Sequence, residues 1–162
     1  MTRHTLAPVD ATTYRAAVSQ HAAGVAIVTS TADGRPVGMT VSSFASHSIA
    51  PPTVSCDLAT SSRSLAAIRD HRRFVVHLLD ERQEAVAVRF ATPDLDRFDA
   101  PDWRWERGLP VLDGTMARFE AELITDVEVG DHAVVLGAVV DVEVAAVARP
   151  LIHQDRRFHG LG

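Results

Sequence analysis

The stretch GVAIVTSTADGRPVGMTVSSF, Gly24 to Phe44, reads as two strands folded about a turn. Val25, Ile27 and Val28 form the centre of a buried strand over Gly24–Thr31. Asp33-Gly34 favours positive φ, which makes Ala32–Arg35 a hairpin turn. Pro36 to Phe44 is the returning strand, placed beside Thr29 and Ser30. Its second half concentrates small polar groups. Thr40, Ser42 and Ser43 can meet the polar edge of a ring without crowding it. Gly38 allows a flat ligand or a neighbouring backbone to come close. Met39 and Val41 offer apolar surface that packs on an aromatic ring. Taken alone, the stretch is an ordinary strand ending in a Ser-rich turn.

Upstream, Asp10 and Thr12 are helix N-caps, and Tyr14, Ala17, Val18, His21 and Ala22 share one helical face. Residues 1–9 read as a loose lead-in. Downstream, Pro51-Pro52 forces an extended entry into a strand over Thr53–Leu58. Ser61, Ser62, Arg63 and Ser64 then precede a helical spacing at Leu65 and Ile68. The first N–H groups of a helix are unpaired and its dipole favours an anion, and Arg63 adds forked donors suited to phosphate. A plain N-cap with a solvated Arg explains the same residues, and the local sequence leaves both readings open. A fourth strand spans Phe74–Leu79, followed by a helix capped by Asp80 with Gln83 in a box-like position and running to about Phe90. The segment from Ala91 to Leu112 has no clean period and reads as a long loop of the lid or interface kind.

Ala117, Phe119, Ala121 and Leu123 alternate with charged residues, the clearest period-two signal in the chain. Gly130-Asp131 is a turn, His132–Glu143 a long apolar strand, and Pro150–His153 starts a short one. The tally of six or seven strands, two or three short helices and no alternating βα pattern predicts a mainly β fold: a closed or partly open antiparallel barrel with helical decorations.

The 162 residues suit a single domain, and 46% hydrophobic content is globular. A net charge of −5 argues against a nucleic-acid partner. The single cysteine, Cys56, allows no intrachain disulfide and sits within a strand, buried and inert. Neither a signal-peptide h-region nor an apolar run of membrane-spanning length is present, so the expectation is a soluble cytoplasmic protein. The eight His residues lack metal-ligand spacing, and HExxH, GxSxG and GxGxxG are all absent. No metal is expected.

GVAIVT, GMTVSSF, Pro51-Pro52, SSRSL at Ser61–Leu65, Asp96-Arg97-Phe98, Gly130-Asp131-His132 and His153–Phe158 occur in an order and spacing similar to the flavin reductase-like domain family. The resemblance covers nearly the whole chain, and it implies a split β-barrel of the FMN-binding, Greek-key-like type. It also implies a homodimer with flavin near the subunit interface. By that resemblance Thr29, Met39, Thr40, Val41, Ser42 and Ser43 line the flavin ring, and Asp57 lies where the third strand passes it. Ser61, Ser62, Arg63 and Ser64 meet the phosphate end, Phe90 and Arg97 close the pocket, and His132 lies nearest a nicotinamide. The sequence departs from the family at Asp57, where apolar residues are usual. It departs again at Ile152, before His153, where an aromatic is common, and it lacks the usual glycine after His153.

The implied activity is hydride transfer from NADH or NADPH to FMN or FAD, with reduced flavin supplied to a partner monooxygenase. The alternatives are a flavin-binding module for electron transfer or storage without nicotinamide turnover, and a split-barrel FMN-dependent oxidase of a small substrate; Gly130-Asp131-His132 weighs against the latter.

Overall fold

The computed structural model describes residues 7–161; residues 1–6 of the expected lead-in lie outside it. In chain order the elements are α1 (Ala11–Ser19), β1 (Ala23–Gly24), β2 (Ala26–Ala32), β3 (Arg35–Val41), β4 (Ala45–Ile49), β5 (Pro52–Ala59), α2 (Arg63–His71) and β6 (Arg73–Leu78). A short 3-10 turn, Glu81–Gln83, leads into α3 (Glu84–Ala91). Then come β7 (Trp103–Glu106), β8 (Leu109–Leu112), β9 (Ala117–Val129), β10 (His132–Val144), β11 (Leu151–Gln154) and β12 (Arg157–Gly160). Seven strands form one antiparallel sheet in the order β3-β2-β6-β9-β10-β5-β4.

The order has a geometric consequence. β3 and β4 are the two edges of the sheet, yet only residues 42–44 separate them in the chain. Four Cα steps reach at most about 14 Å. Six strand spacings laid flat would span about 29 Å. The sheet must therefore curl until its edges face each other. They do not pair, so the barrel stays split rather than closed. The expected mainly β, antiparallel split architecture with short helices is the one observed.

Alternation sets the interior. Ala26, Val28, Val54, Cys56, Leu58, Phe74, Val76, Ala121, Leu123, Ala133 and Val135 fill the curled sheet, and Leu65 and Ile68 of α2 plug one end. A second core lies outside, where Phe90 and Ala87 of α3 pack on Val25, Ile27, Leu79 and Leu151. The Asp80 box forms as read: its carboxylate accepts from the Arg82 N–H, and the Gln83 side chain accepts from the Asp80 N–H.

Four readings need correction. The returning strand stops at Val41, not Phe44, and Ala45–Ile49 is a strand of its own. The Ala91–Leu112 segment is not structureless, because its second half folds as the β7–β8 hairpin. β12 completes a small sheet with β11 and β1, and the described residues hold twelve strands rather than six or seven. Tyr14 and Val18, placed on an apolar face of α1, are 60% and 50% exposed in the single chain.

His77 fixes β8 against the barrel. It is fully buried; its Nε2 accepts from the Leu112 N–H at 3.1 Å, so the proton sits on Nδ1, which donates to the Ile27 carbonyl at 3.2 Å. Burial pushes its pKa down to about 3. The unfolded chain then binds a proton below about pH 6.5 that the folded chain refuses, so this residue draws stability down as pH falls, by about 1.4 kcal/mol per unit. Urea unfolding is expected to show this slope developing as pH falls from 7 to 5, a loss of about 2 kcal/mol over the interval, and His77→Gln is expected to lack it.

Candidate functional site

The site begins with the free edge of β3. Asp33 and Gly34 both have positive φ, 50° and 73°, so the β2–β3 connection is a two-residue turn and Ala32 and Arg35 form the first hydrogen-bonded pair. Hydrogen-bonded and open pairs then alternate along the ladder. Pro36, Gly38 and Thr40 consequently turn their main-chain groups away from β2, into the split. Pro36 has no N–H to lose there. The direction is confirmed at Gly38, whose carbonyl accepts from Arg97 Nη1 at 2.5 Å. The Gly38 N–H and the main-chain N–H and carbonyl of Thr40 have no hydrogen-bond partner among the described residues.

Beyond β3 the chain crosses to the far edge. Ser42 is exposed, and Ser43 Oγ accepts from the Asp57 N–H at 2.7 Å, which ties the crossing to β5. Phe44 stacks on Phe119 with ring centroids 5.3 Å apart. Asp57 and Val134 are register partners, as are Ala59 and His132, so Asp57 and His132 share the outer face of the sheet. Cys56, in the opposite phase, points into the core, and burial pushes its thiol up to about 12.

The end of β5 is joined to the Gly130 turn. The Thr60 N–H and hydroxyl both donate to the Asp131 carbonyl, at 3.0 and 3.2 Å. The exposed His132 places Nδ1 2.8 Å from Asp131 Oδ1, and that contact is the main cause holding the Asp131 carboxyl below the usual carboxylate range. The α2 N-terminus follows. Ser62 Oγ caps the Leu65 N–H at 3.1 Å, leaving the Arg63 and Ser64 N–H groups without an acceptor among the described residues. Arg63 and Arg97 make no ion pair among the described residues, and neither do Arg15, Arg35, Arg72, Arg156 and Arg157, whereas Arg69, Arg73, Arg82, Arg89, Arg104, Arg107, Arg118 and Arg149 all do. Burial first, and then the Arg63 charge, lower the pKa of Arg97, so the two guanidiniums act on each other. Two unpaired cations beside two free helix N–H groups make a seat for an anion.

Of the residues singled out in the sequence, Gly38, Thr40, Ser42, Ser43, Asp57, the 61–64 turn, Arg97 and His132 border the split or its mouth. Others do not. Thr29 is fully buried and donates its hydroxyl to the Pro110 carbonyl at 2.6 Å, so its side chain is committed to holding β8. Phe90 does not close a pocket: it is fully buried beneath Gly38 and edge-on to Phe98. The side chains of Met39 and Val41 join the inner core, leaving their strand's contribution to the backbone and to Thr40. The Thr40 hydroxyl donates to the Ala87 carbonyl at 2.6 Å, so toward a ligand it acts as an acceptor. Ser64 is buried and offers its N–H rather than its hydroxyl. The grip of Arg97 on Gly38 escaped the sequence reading; the phase of Pro36 was the signal that could have exposed the open edge.

Residues 18–162 match the flavin reductase like domain. The chain belongs to this family. It is 37% identical over 158 residues to the reductase subunit HsaB of a flavin-dependent monooxygenase from Mycobacterium tuberculosis, covering 96% of this chain and 84% of that protein. It is 37% identical over 153 residues to an NADH:FMN oxidoreductase of Rhodococcus erythropolis, covering 90% of this chain and 79% of that one. Among solved structures, the styrene monooxygenase flavin reductase of Pseudomonas putida S12 superposes with a TM-score of 0.83 at 35% identity, over 92% of this chain and 97% of that one. Among the described residues no three His, Cys, Asp or Glu side chains come together as a metal site, and no helix is long and apolar enough to cross a membrane.

Gly38 holds the β3 edge in place. A Cβ there would lie 3.0 Å from Phe90 Cε1, 3.0 Å from the Val28 carbonyl oxygen and 3.1 Å from Thr29 Cγ2. Gly38→Ala is expected to displace the strand from α3 and lower stability by about 1–3 kcal/mol, measured by chemical denaturation.

Proposed function

We propose that the protein is an NAD(P)H:flavin oxidoreductase: it passes a hydride from NADH or NADPH to FMN or FAD and supplies the reduced flavin to a partner monooxygenase. The observation that carries this reading is the meeting, at one split, of an open strand edge and an anion seat. A flavin has both complements. Its pyrimidine edge alternates N–H and carbonyl groups, as the main chain of Gly38 and Thr40 does, and its ribityl chain ends in a phosphate that suits the Arg63 and Ser64 N–H groups with Arg63 and Arg97. The donor set fits the group.

When bound, the flavin supplies the redox chemistry, with N5 as the hydride acceptor. The protein supplies position and field. The Thr40 main chain and Ser42 hold the ring edge, and their fixed dipoles favour the negative charge that builds there on reduction. Ser43 keeps the crossing tied to Asp57, so the edge does not swing away. His132, braced by Asp131, orients the nicotinamide from the outer face. Correct alignment of two reacting rings is worth roughly 7–11 kcal/mol at best. Hydride transfer needs no general base, and none is assigned.

The working form is one domain per chain, a homodimer in the cytoplasm. The exposed Val127 and Val129, on the outer face of β9, support a second copy on this face.

Purified protein mixed with NADH and excess FMN, followed at the nicotinamide absorbance band, tests the assignment. Flavin-dependent loss of NADH is expected; a tightly bound yellow protein without turnover would replace the reductase by a storage or electron-transfer module. Arg63→Ala is expected to weaken FMN about ten- to a hundredfold, the range for a lost charge-assisted hydrogen bond, and to leave riboflavin unchanged. Equal losses for both flavins would remove the phosphate role.

A further inference from the structure

A second cleft starts where the anion seat ends. It lies between the outer side of α2 and the β2–β3 turn, holds about 450 Å³, and has Arg63 as part of its wall. Its lining includes the small apolar side chains Ala32, Val37, Ala66 and Ala67. Asp33 and Asp70 line it as well, and neither carboxylate joins an ion pair among the described residues. His71 completes the far end, with a buried Nδ1 that finds no hydrogen-bond partner. One guanidinium thus borders both the anion seat and a cleft lined by small apolar side chains and two carboxylates.

We infer that this cleft is an adenylate subsite, taking the adenosine 5′-phosphate portion of a dinucleotide whose flavin or nicotinamide end works in the split. The inference rests on the reading of the split as a flavin site and deepens it. Each part of an adenylate has a counterpart. The purine is flat and largely apolar on its faces, which suits alanine and valine walls. Its exocyclic amine and the ribose hydroxyls are donors, which suits Asp33 and Asp70. The phosphate falls to Arg63, as a planar cation with paired donors. The same carboxylates disfavour an additional phosphate on the ribose, so NADH fits better here than NADPH.

Two dinucleotides carry an adenylate, FAD and NADH, and the test separates them. Ala66 is exposed on α2, so Ala66→Trp fills the cleft without entering the core; far-ultraviolet circular dichroism and the melting temperature check the fold, and Asp70→Ala serves as a second, gentler variant. Binding of 5′-AMP alone to the flavin-free protein is measured by calorimetry, and affinities for FAD and FMN by flavin fluorescence. The expected result is that wild-type protein binds 5′-AMP, that Ala66→Trp does not, and that one dinucleotide suffers selectively. A fall of about tenfold or more in the FAD-to-FMN affinity ratio, equivalent to about 1.4 kcal/mol, assigns the cleft to FAD. A similar rise in the Michaelis constant for NADH with FMN as acceptor, at an unchanged FAD-to-FMN ratio, assigns it to the nicotinamide dinucleotide. No 5′-AMP binding, or an unchanged response to both dinucleotides in both variants, overturns the subsite. Failure of FMN itself to bind the wild-type protein overturns the flavin reading instead, and the 5′-AMP titration still decides the cleft.

Discussion

A three-residue crossing between the two edges of a seven-stranded sheet governs this structure. Ser42, Ser43 and Phe44 cannot reach across an open sheet, so the sheet bends to them. Phe44 on Phe119 and Ser43 on Asp57 pin the crossing to two strands of the curled wall, β9 and β5. The slot that remains lies along a strand edge, and strand edges are where unspent main-chain hydrogen bonds are found. The ligand-facing chemistry of the protein is therefore mostly backbone, positioned by topology rather than by long side chains.

Charge is distributed to the same end. On the outer side of β6, β9 and β10 the cations are consumed in a network that runs from Arg73 through Glu120, Arg107 and Asp141, and from Glu106 through Arg118 to Glu143. Arg69 is occupied in the same way by Asp126 and Glu128 across the top of α2. Exposed pairs of this kind add little to stability individually. Their clearer effect is to commit the cations of that outer face to carboxylates, while Arg63 and Arg97 stay outside the network.

The hairpin at Asp33-Gly34, the period-two strand over Ala117–Leu123 and the Asp80 capping box were legible in the sequence because each is decided locally. The 61–64 turn was legible as a helix start for the same reason, since a capping serine ahead of a helical spacing is read without knowing the rest of the fold; the sequence left open whether it seats an anion. What was not legible depends on distant partners. Phe90 has the size and position of a pocket wall, but only the approach of α3 to β3 shows that Gly38 lies directly over it. Thr29 looks like a ring-side hydroxyl until the β7–β8 hairpin brings the Pro110 carbonyl to it across 81 residues. That hairpin itself was hidden because Trp103–Glu106 and Leu109–Leu112 are each four residues long, too short for a period to show.

An exposed sheet margin is normally an invitation to a foreign chain, which could add itself as an eighth strand and begin an aggregate. Here the invitation is cut short. Pro36 withholds a donor at one end, the Arg97 side chain occupies the Gly38 carbonyl in the middle, and the chain turns off at Ser42. The gap left at Thr40 is about one residue pair long: enough for a heterocycle, too little for a polypeptide to gain a register. The same few atoms that prepare the protein to hold a small molecule also keep it from polymerising along its own seam.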